Sequence, residues 1–229
     1  MNRALASPDR RVDSLGGLRG LYAITPDESD TVRLVRKVRK ALAGGARMLQ
    51  YRNKSADATL RREQSVALLA LCRAARVPFI INDDLDLASA LGADGVHLGR
   101  DDIPVAAARA RLDKEKLLGV SCYDRLDLAV DARNVGADYV AFGSAFPSTT
   151  KPGAPQAPLS LYREAKAHLG LPIVAIGGIT PENARVVIRA GADAVAVISG
   201  LFGAPDVERR ARQFARMFLE HDLEKRSAV

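Results

Sequence analysis

The stretch LGADGVHLG, residues 91–99, contains the pattern on which the whole chain is built. Its first part recurs twice, as VGADYV at 135–140 and as AGADAV at 190–195. In each copy a glycine is placed to end a helix, and a short loop leads into an apolar run. A run that is apolar on both faces is typical of a strand in a parallel sheet. The repeat therefore predicts that helices and strands alternate.

The same alternation extends along the chain on both sides of these phrases. Strands are predicted at 20–25, 46–52, 77–83, 93–99, 116–121, 137–143, 171–178 and 192–199. Helices are predicted at 29–43, 57–75, 84–91, 104–111, 124–135, 159–168, 181–190 and 206–222. Eight such units predict an α/β protein that forms a single (β/α)8 TIM barrel over residues 20–222. An open doubly wound sheet is the alternative, although ITPDES after the first strand is not a glycine-rich fingerprint.

The composition favours a cytoplasmic protein. Residues 1–19 are polar and are expected to form a flexible leader, and residues 223–229 a C-terminal tail. The leader lacks the hydrophobic stretch of a signal peptide, and no apolar run in the chain is long enough to span a bilayer. Cys72 and Cys122 are expected to be buried free thiols. The three histidines do not have the spacing of a zinc site.

The net charge of +7 indicates anionic partners. Nucleic acid is one candidate, but aromatic residues make up only 5% of the chain and no nucleic-acid motif is present. The basic run at 33–42 carries Leu34 and Val38 at helical spacing, which predicts an amphipathic helix with a solvated face. We therefore expect small-molecule partners, with no nucleic acid and no membrane, and leave a homo-oligomer open.

Functional groups of a TIM barrel lie at the C-terminal ends of its strands. At the end of the second strand, Gln50, Arg52 and Lys54 are two residues apart, so an extended chain places them on one face. A strand that ends in a charged loop is the alternative. Polar residues also follow the fifth strand, where Ser121 stands, and the sixth strand, where the loop 144–153 contains hydroxyl groups and one lysine. That loop either binds an anion or is only solvated.

Carboxylates follow the third and fourth strands. Asn82 and Asp83 end the third strand, Asp102 follows the fourth, and Asp84 is expected to cap the next helix. Mg²⁺ is usually held by one or two carboxylates together with substrate phosphates and water. These strand ends therefore predict a magnesium site. His97 lies within the fourth strand and is expected to pack inside the barrel rather than to act as a base.

The seventh and eighth strands end in residues that suit a phosphate. Gly177 and Gly178 allow a ligand to approach the backbone, and Ser199 and Gly200 follow the eighth strand. Loops at this place, beside a helix N-terminus, form the phosphate site of many TIM barrels. With the charged residues of the second to fourth strands, they predict an enzyme that joins two phosphorylated molecules while a metal helps pyrophosphate to leave.

These motifs together resemble the thiamine phosphate synthase family. The likeness extends from Gly20 to Phe218 through GLYAIT, LQYRNK, INDDLDLASALGADGVHLGRDD, GVS, ADYVAFGSAFPSTTKP, PIVAIGGI and VAVIS. The resemblance implies a TIM barrel that joins 4-amino-2-methyl-5-hydroxymethylpyrimidine diphosphate to a thiazole phosphate. The products would be thiamine monophosphate and pyrophosphate. It also implies one Mg²⁺ ion, completed by the substrate diphosphate and water.

The resemblance also implies a role for each matching residue. The pyrimidine diphosphate would contact Gln50, Arg52, Lys54, Asn82 and Lys151, with Ser121 near its ring. Of these, Arg52, Lys54 and Lys151 would be catalytic, because they would neutralise charge on the leaving pyrophosphate. The metal would bind Asp83 and Asp102. The thiazole phosphate would contact Ser148, Thr150, Gly178, Ile198 and Ser199.

Two positions depart from the family pattern. Many relatives have threonine in place of Ser148, and glutamine is common in place of Arg100. The sequence leaves three alternative functions open. The first is a related thiazole tautomerase, which shares the fold and makes no new bond, and the second is another phosphate-binding barrel isomerase. The third is a non-catalytic binder of thiamine phosphates or nucleic acid.

Overall fold

Residues 18–148, 153 and 155–227 are described by a computed structural model of the chain. Within these residues, parallel strands close into one barrel in the order of the sequence. The strands are β1 Gly20–Ile24, β2 Ala46–Tyr51, β3 Phe79–Asn82, β4 Gly95–Leu98, β5 Leu117–Tyr123, β6 Tyr139–Phe142, β7 Ile173–Ile176 and β8 Ala194–Val197. Strand β1 pairs with both β2 and β8, which closes the sheet. The predicted TIM barrel is confirmed, and the open sheet is excluded.

The helices follow the strands as expected. They are α1 Thr31–Ala43, α2 Ala58–Ala75, α3 Leu85–Leu91, α4 Val105–Arg111, α5 Leu126–Asn134, α6 Leu159–His168, α7 Ala184–Arg189, α8 Ser199–Phe202 and α9 Val207–Ser227. Two of them differ from the prediction. Strand β8 ends before Ser199, which instead begins the short helix α8. Helix α9 continues to Ser227, so most of the expected C-terminal tail is helical.

The repeated phrases form the entrances to β4, β6 and β8. Their glycines, Gly92, Gly136 and Gly191, have φ angles of 64°, 93° and 115°. L-amino acids with a side chain rarely adopt these angles, so glycine lets the chain leave each helix and turn into the strand.

The aspartates of the same phrases bind the neighbouring strands together. Each carboxylate accepts a hydrogen bond from a backbone N–H at the start of the preceding strand: Phe79 to Asp94 at 2.8 Å, Leu118 to Asp138 at 2.7 Å and Ile173 to Asp193 at 2.9 Å. The bonds occupy N–H groups at the lower rim of the barrel. The repeat is therefore structural, and it leaves the opposite rim for function.

Two separate apolar cores hold the barrel. The larger one lies between the outside of the strands and the helices, and includes Leu34 and Val38 of α1. The smaller one fills the barrel interior with residues such as Met48, Ile80 and Val174. Cys72 and Cys122 are buried free thiols, as predicted. Among the described residues, none of the helices has the length and apolar character needed to cross a membrane.

The N-terminal boundary of the fold lies before Gly20. Leu18 is only 4% exposed and belongs to the interior core. Arg19 donates a hydrogen bond of 3.0 Å from its Nε to Asp222 of α9, and its guanidinium lies 5.4 Å from the ring centroid of Phe218. The two residues were expected to belong to a flexible leader. They pack against the barrel instead, because the apolar side chain of Leu18 is buried at its lower end and the guanidinium of Arg19 pairs with Asp222 on α9.

Candidate active site

A cavity of about 490 Å³ opens at the C-terminal ends of the strands. Its walls come from the ends of all eight strands and from the loops that follow them. The lining includes Ile24, Gln50, Arg52, Asn82, His97, Arg100, Ser121, Tyr123, Ser144, Ser148, Gly177, Gly178, Ile198, Ser199 and Gly200. Polar residues from opposite sides of the barrel therefore face one space.

The end of β2 contributes two of its three predicted groups to the cavity. Gln50 is 2% exposed and Arg52 lines the wall, whereas Lys54 is not part of the lining. Strand β2 ends at Tyr51, so the alternation that predicted a common face does not continue to Lys54. The ammonium group of Lys54 instead pairs with Asp83 at the rim.

The rim beside Lys54 carries the predicted pair of carboxylates. Asp83 has a φ of 64° and its backbone N–H donates to the carbonyl of His97 at 2.8 Å, which ties β3 to β4. An oxygen of Asp102 accepts from the backbone N–H of Gly99 at 2.6 Å. Burial raises the pKa of Asp102, and interaction with the nearby Asp83 raises it further. Two interacting carboxylates are a donor set that a divalent cation would stabilise.

We call this group of side chains the cationic end of the cavity. It comprises Gln50, Arg52, Lys54, Asn82, Asp83 and Asp102. Asn82 lines the wall between the cations and the carboxylates. Asp84, the residue after Asp83, is not part of this group. Its carboxylate accepts a hydrogen bond from the backbone N–H of Leu87 at 2.9 Å, which makes Asp84 the N-cap of α3, as expected.

The opposite wall is built largely from backbone. Gly177 and Gly178 have φ angles of 96° and 63°, and a Cβ on Gly178 would lie 2.3 Å from the carbonyl oxygen of Pro147. A Cβ on Gly200 would lie 2.3 Å from the carbonyl oxygen of Ile179. Together with Ile198 and Ser199, these glycines form what we call the glycine end. Its backbone segments approach one another too closely for side chains.

The loop after β6 is fixed to the glycine end. The backbone N–H of Ala145 donates to Ile176 at 2.8 Å, and that of Phe146 donates to Gly177 at 3.1 Å. Ser148, at the end of this segment, lines the cavity, and its predicted contact with the thiazole phosphate stays a prediction. Thr150 and Lys151 lie outside the described residues, so their predicted roles stay predictions.

His97 and Ser121 lie at the floor of the cavity. His97 is 7% exposed, and its Nε2 is 2.9 Å from the hydroxyl of Ser121. Its Nδ1 is 3.1 Å from the hydroxyl of the buried Tyr139. His97 was expected to be a packed residue of the interior. It is buried as expected, but it also lines the cavity and orients Ser121.

The comparisons with known proteins agree with this geometry. The chain matches the thiamine monophosphate synthase family over residues 21–201. It is 60% identical over 205 residues to a thiamine-phosphate synthase of Methylobacillus flagellatus, with 90% of this chain and 98% of the relative covered. It is 54% identical to a thiamine-phosphate synthase of Thioalkalivibrio sulfidiphilus, covering 88% of this chain and 96% of the relative.

The chain belongs to the thiamine monophosphate synthase family. Its structure superimposes on a thiamine phosphate pyrophosphorylase from Pyrococcus furiosus with a TM-score of 0.79 and 37% identity, covering 88% of this chain and 96% of the other. The chain is accordingly a transferase of thiamine biosynthesis. The resemblance, and with it the family predicted from the strand-end motifs, is confirmed.

For this member of the thiamine monophosphate synthase family, sequence reasoning missed the residues that support the cationic end. The hydroxyl of Thr25 accepts from the backbone N–H of Arg52 at 2.8 Å and donates to its carbonyl at 2.8 Å. Asp27 accepts from the guanidinium of Arg52 at 3.1 Å and from the backbone N–H of Lys54 at 2.8 Å. The signal was present in ITPDES, where Thr25 and Asp27 are two apart just past β1.

Proposed function

We propose that the chain condenses 4-amino-2-methyl-5-hydroxymethylpyrimidine diphosphate with thiazole phosphate, giving thiamine monophosphate and pyrophosphate. One observation carries this proposal: a single cavity has a cationic end on β2 to β4 and a glycine end on β7 and β8. Two anionic substrates would therefore bind on opposite walls. The methylene carbon of the pyrimidine and the nitrogen of the thiazole would lie between the two anionic groups. Family membership supports the same reaction.

The diphosphate would lie at the cationic end. Arg52 lines the wall with a side chain that is only 17% exposed, so its charge is held close to the ligand. Asn82 offers an amide beside it. Lys54 is 57% exposed and pairs with Asp83, so we propose that it turns from that partner to the leaving pyrophosphate. Lys151 is proposed as a third cation, on the strength of the family motif.

Asp83 and Asp102 are the residues that would hold one Mg²⁺ ion, which substrate diphosphate and water would complete. The fit rests on their chemistry: two carboxylates interact, and burial together with this contact raises the pKa of Asp102. No group of three or more candidate ligands occurs among the described residues, which accords with a Mg²⁺ site completed by substrate. The ion would supply positive charge that neutralises the leaving diphosphate.

The thiazole phosphate would lie at the glycine end. The backbone N–H groups of Ser199 and Gly200, at the start of α8, precede the first hydrogen bond of that helix, which Leu201 donates to Ile198, and would bind an anion. Gly178, Ile198 and Ser199 would hold the phosphate oxygens, and the hydroxyl groups of Ser148 and Thr150 would contact the same substrate. The glycines matter here because the ligand and the backbone must approach closely.

The reaction would begin with cleavage of the bond between the pyrimidine methylene carbon and the diphosphate oxygen. The oxygen keeps the electron pair, and the aminopyrimidine ring stabilises the positive carbon that remains. The thiazole nitrogen, which carries no proton, then donates its lone pair to that carbon. No general base is needed, so the chain's own residues act by holding both substrates and by neutralising charge.

The test is pyrophosphate release by the purified protein, measured with both substrates in Mg²⁺ and then in EDTA. We expect release that depends on the metal and on thiazole phosphate, together with formation of thiamine monophosphate. Isomerisation of the thiazole phosphate without a new bond would instead indicate a tautomerase. Binding of either substrate without turnover would indicate a non-catalytic binder. We propose the cytoplasm as its location, in accord with two buried free thiols.

A further inference from the structure

A continuous series of five polar side chains crosses the floor of the cavity. It runs from Gln50 on β2 through Tyr22 on β1, Tyr139 on β6 and His97 on β4 to Ser121 on β5. Successive polar atoms are 2.8, 2.9, 3.1 and 2.9 Å apart. We call this series the floor chain. Gln50, Tyr22, His97 and Ser121 line the cavity, whereas Tyr139 is not part of the lining, so the floor chain joins its two ends through a phenol in the barrel interior.

Packing fixes the position of the central ring. Tyr139 stacks on His97 with 5.6 Å between ring centroids and an angle of 27° between the planes. It meets Tyr22 edge-on, at 6.0 Å and 79°. A Cβ on Gly119 of β5 would lie 2.1 Å from the Cζ of Tyr139, so the ring occupies space that only glycine leaves open. The phenol oxygen of Tyr139 is therefore held where both neighbours can reach it.

The orientation of the Gln50 amide, together with one hydrogen on each phenol, sets the direction of the floor chain. Burial raises the pKa of both phenols above the ordinary value, so each keeps its single hydrogen. The amide nitrogen of Gln50 donates to the oxygen of Tyr22. The hydrogen of Tyr22 is then directed to Tyr139, and that of Tyr139 to Nδ1 of His97. Neutral His97 must therefore carry its own hydrogen on Nε2.

We infer that Tyr22 and Tyr139 are positioning residues that hold His97 as the Nε2–H tautomer and thereby make Ser121 a hydrogen-bond donor to the ligand. The Nε2–H group donates to the oxygen of Ser121, whose own hydrogen then points to the cavity. At the other end, the carboxamide oxygen of Gln50 becomes the acceptor. The matching ligand, which rests on the proposed function, is an aminopyrimidine edge with an amino donor beside a ring-nitrogen acceptor.

The opposite direction is the competing arrangement. It would need the amide of Gln50 turned so that its oxygen accepts from Tyr22. His97 would then carry its hydrogen on Nδ1, and Ser121 would face the ligand as an acceptor. Both ends would invert together, because each phenol has one hydrogen to give. The tautomer of His97 therefore reports the direction of the whole floor chain.

The first experiment is long-range ¹H–¹⁵N correlation NMR of the labelled protein without substrates. The pH would be about 8.5, roughly two units above the ordinary histidine pKa. We expect Nε2–H for His97. His168 provides an internal reference, because its Nδ1 lies 2.8 Å from the carbonyl of Glu164 and must donate there. An Nδ1–H tautomer for His97 would overturn the inference, whether or not the protein is a synthase.

Two variants separate the roles of the phenols. In Tyr139→Phe, His97 loses the donor to Nδ1, and we expect a mixture of tautomers. In Tyr22→Phe, the hydrogen of Tyr139 can still reach His97, so the Nε2–H form should persist. An unchanged tautomer in Tyr139→Phe would show that Tyr139 does not set it.

Steady-state kinetics give the functional readout. Both variants should raise KM for the pyrimidine diphosphate about tenfold, because Gln50 or His97 loses a buried hydrogen bond that orients it toward this ligand. KM for thiazole phosphate should change little. Tyr162→Phe is the matched control. It removes a buried hydroxyl group that donates to the carbonyl of Phe142 at 3.0 Å, and neither residue lines the cavity. An equal rise of this KM in Tyr162→Phe would show that Tyr22 and Tyr139 have only a structural role.

Discussion

The two ends of the cavity bind anions by different physical means. The cationic end uses side chains that residues just past β1 hold in place: the hydroxyl of Thr25 hydrogen-bonds the backbone N–H and carbonyl of Arg52, and Asp27 accepts from its guanidinium. The glycine end uses backbone that is brought close by the absence of side chains, as at Gly178. A charged side chain of the cationic end can move by a change of rotamer. The shape of the glycine end changes only when its backbone moves.

This difference predicts how each end fails. Loss of a side chain from the cationic end should remove charge stabilisation during the reaction and leave the fold intact. A side chain added at the glycine end should displace backbone, and so lower ligand affinity and stability together.

The largest effect is expected for Arg52→Ala. The variant removes a cation whose side chain is 17% exposed and lines the cavity, so kcat/KM for the condensation should fall about 10²- to 10³-fold. Thiazole phosphate binding, measured by calorimetry, should be unchanged. Arg47→Ala, on the exposed face at the other end of β2, is the control and should keep full activity. A fall of less than threefold in Arg52→Ala would remove Arg52 from the reaction.

Gly178→Ala should break the glycine end. Its φ of 63° is strained for alanine, and the new Cβ would meet the carbonyl of Pro147 at 2.3 Å. We expect KM for thiazole phosphate to rise roughly 30-fold and the melting temperature to fall by several degrees, since strain and a backbone clash cost about 1–3 kcal/mol. Gly170→Ala is the matched control, with a φ of 66° and open space around the Cβ.

The comparison of these two glycines separates two causes. Gly170→Ala should lower the melting temperature through φ strain alone and leave KM unchanged. An equal loss of stability in the two variants, with normal thiazole phosphate binding in Gly178→Ala, would mean that close backbone approach is unimportant at the glycine end.

The sequence alone predicted the barrel better than the detailed contacts of its site. Helical and strand periodicity, with the three repeated phrases, specified every strand because these signals are local. The spacing of Gln50 and Arg52 also predicted correctly that both face the cavity. The same spacing was wrong for Lys54, because the chain leaves β2 after Tyr51 and Lys54 pairs with Asp83 from another strand.

Contacts between distant residues explain the other omissions. The hydroxyl groups of Tyr22 and Tyr139 are 2.9 Å apart but 117 positions apart in the chain. In the sequence, each tyrosine has the pattern of an ordinary interior residue of a strand. Only the register of β1, β2, β4, β5 and β6 around the closed barrel brings the members of the floor chain together. That register depends on the whole fold, so no local motif of the sequence displays it.

Asp102→Asn should have opposite effects on function and on stability at the cationic end. The folded-state pKa of Asp102 is raised above the model-peptide value, chiefly by burial, so ionisation of this carboxyl opposes folding. The contribution of this carboxyl to the stability of the metal-free protein is therefore fully present below about pH 3.9 and is lost as the pH rises through its folded-state pKa. The variant should melt about 1–2 °C higher than the wild type at pH 7 without metal, with no difference at pH 3.5.

The same variant should need about tenfold more Mg²⁺ for half-maximal activity, because one of two proposed carboxylate ligands is lost. Asp101→Asn changes the exposed neighbouring carboxylate and is the control, with normal metal dependence. A wild-type metal requirement in Asp102→Asn would place the ion elsewhere, and a lower melting temperature in EDTA would contradict the stability argument.

The smallest effect is expected for Arg100→Gln, which tests whether a cation that lines the cavity must be held by neighbouring side chains, as Arg52 is. Arg100 lines the cavity but is exposed, and its guanidinium lies 4.5 Å from the ring centroid of Tyr123. Solvent and salt screen such a charge, so KM for the pyrimidine diphosphate should rise only about two- to threefold at low salt. The difference should vanish at about 0.5 M salt. Arg125→Gln, an exposed arginine outside the cavity lining, is the control. A loss comparable to that of Arg52→Ala would show that an exposed loop cation acts as strongly as one held by Thr25 and Asp27.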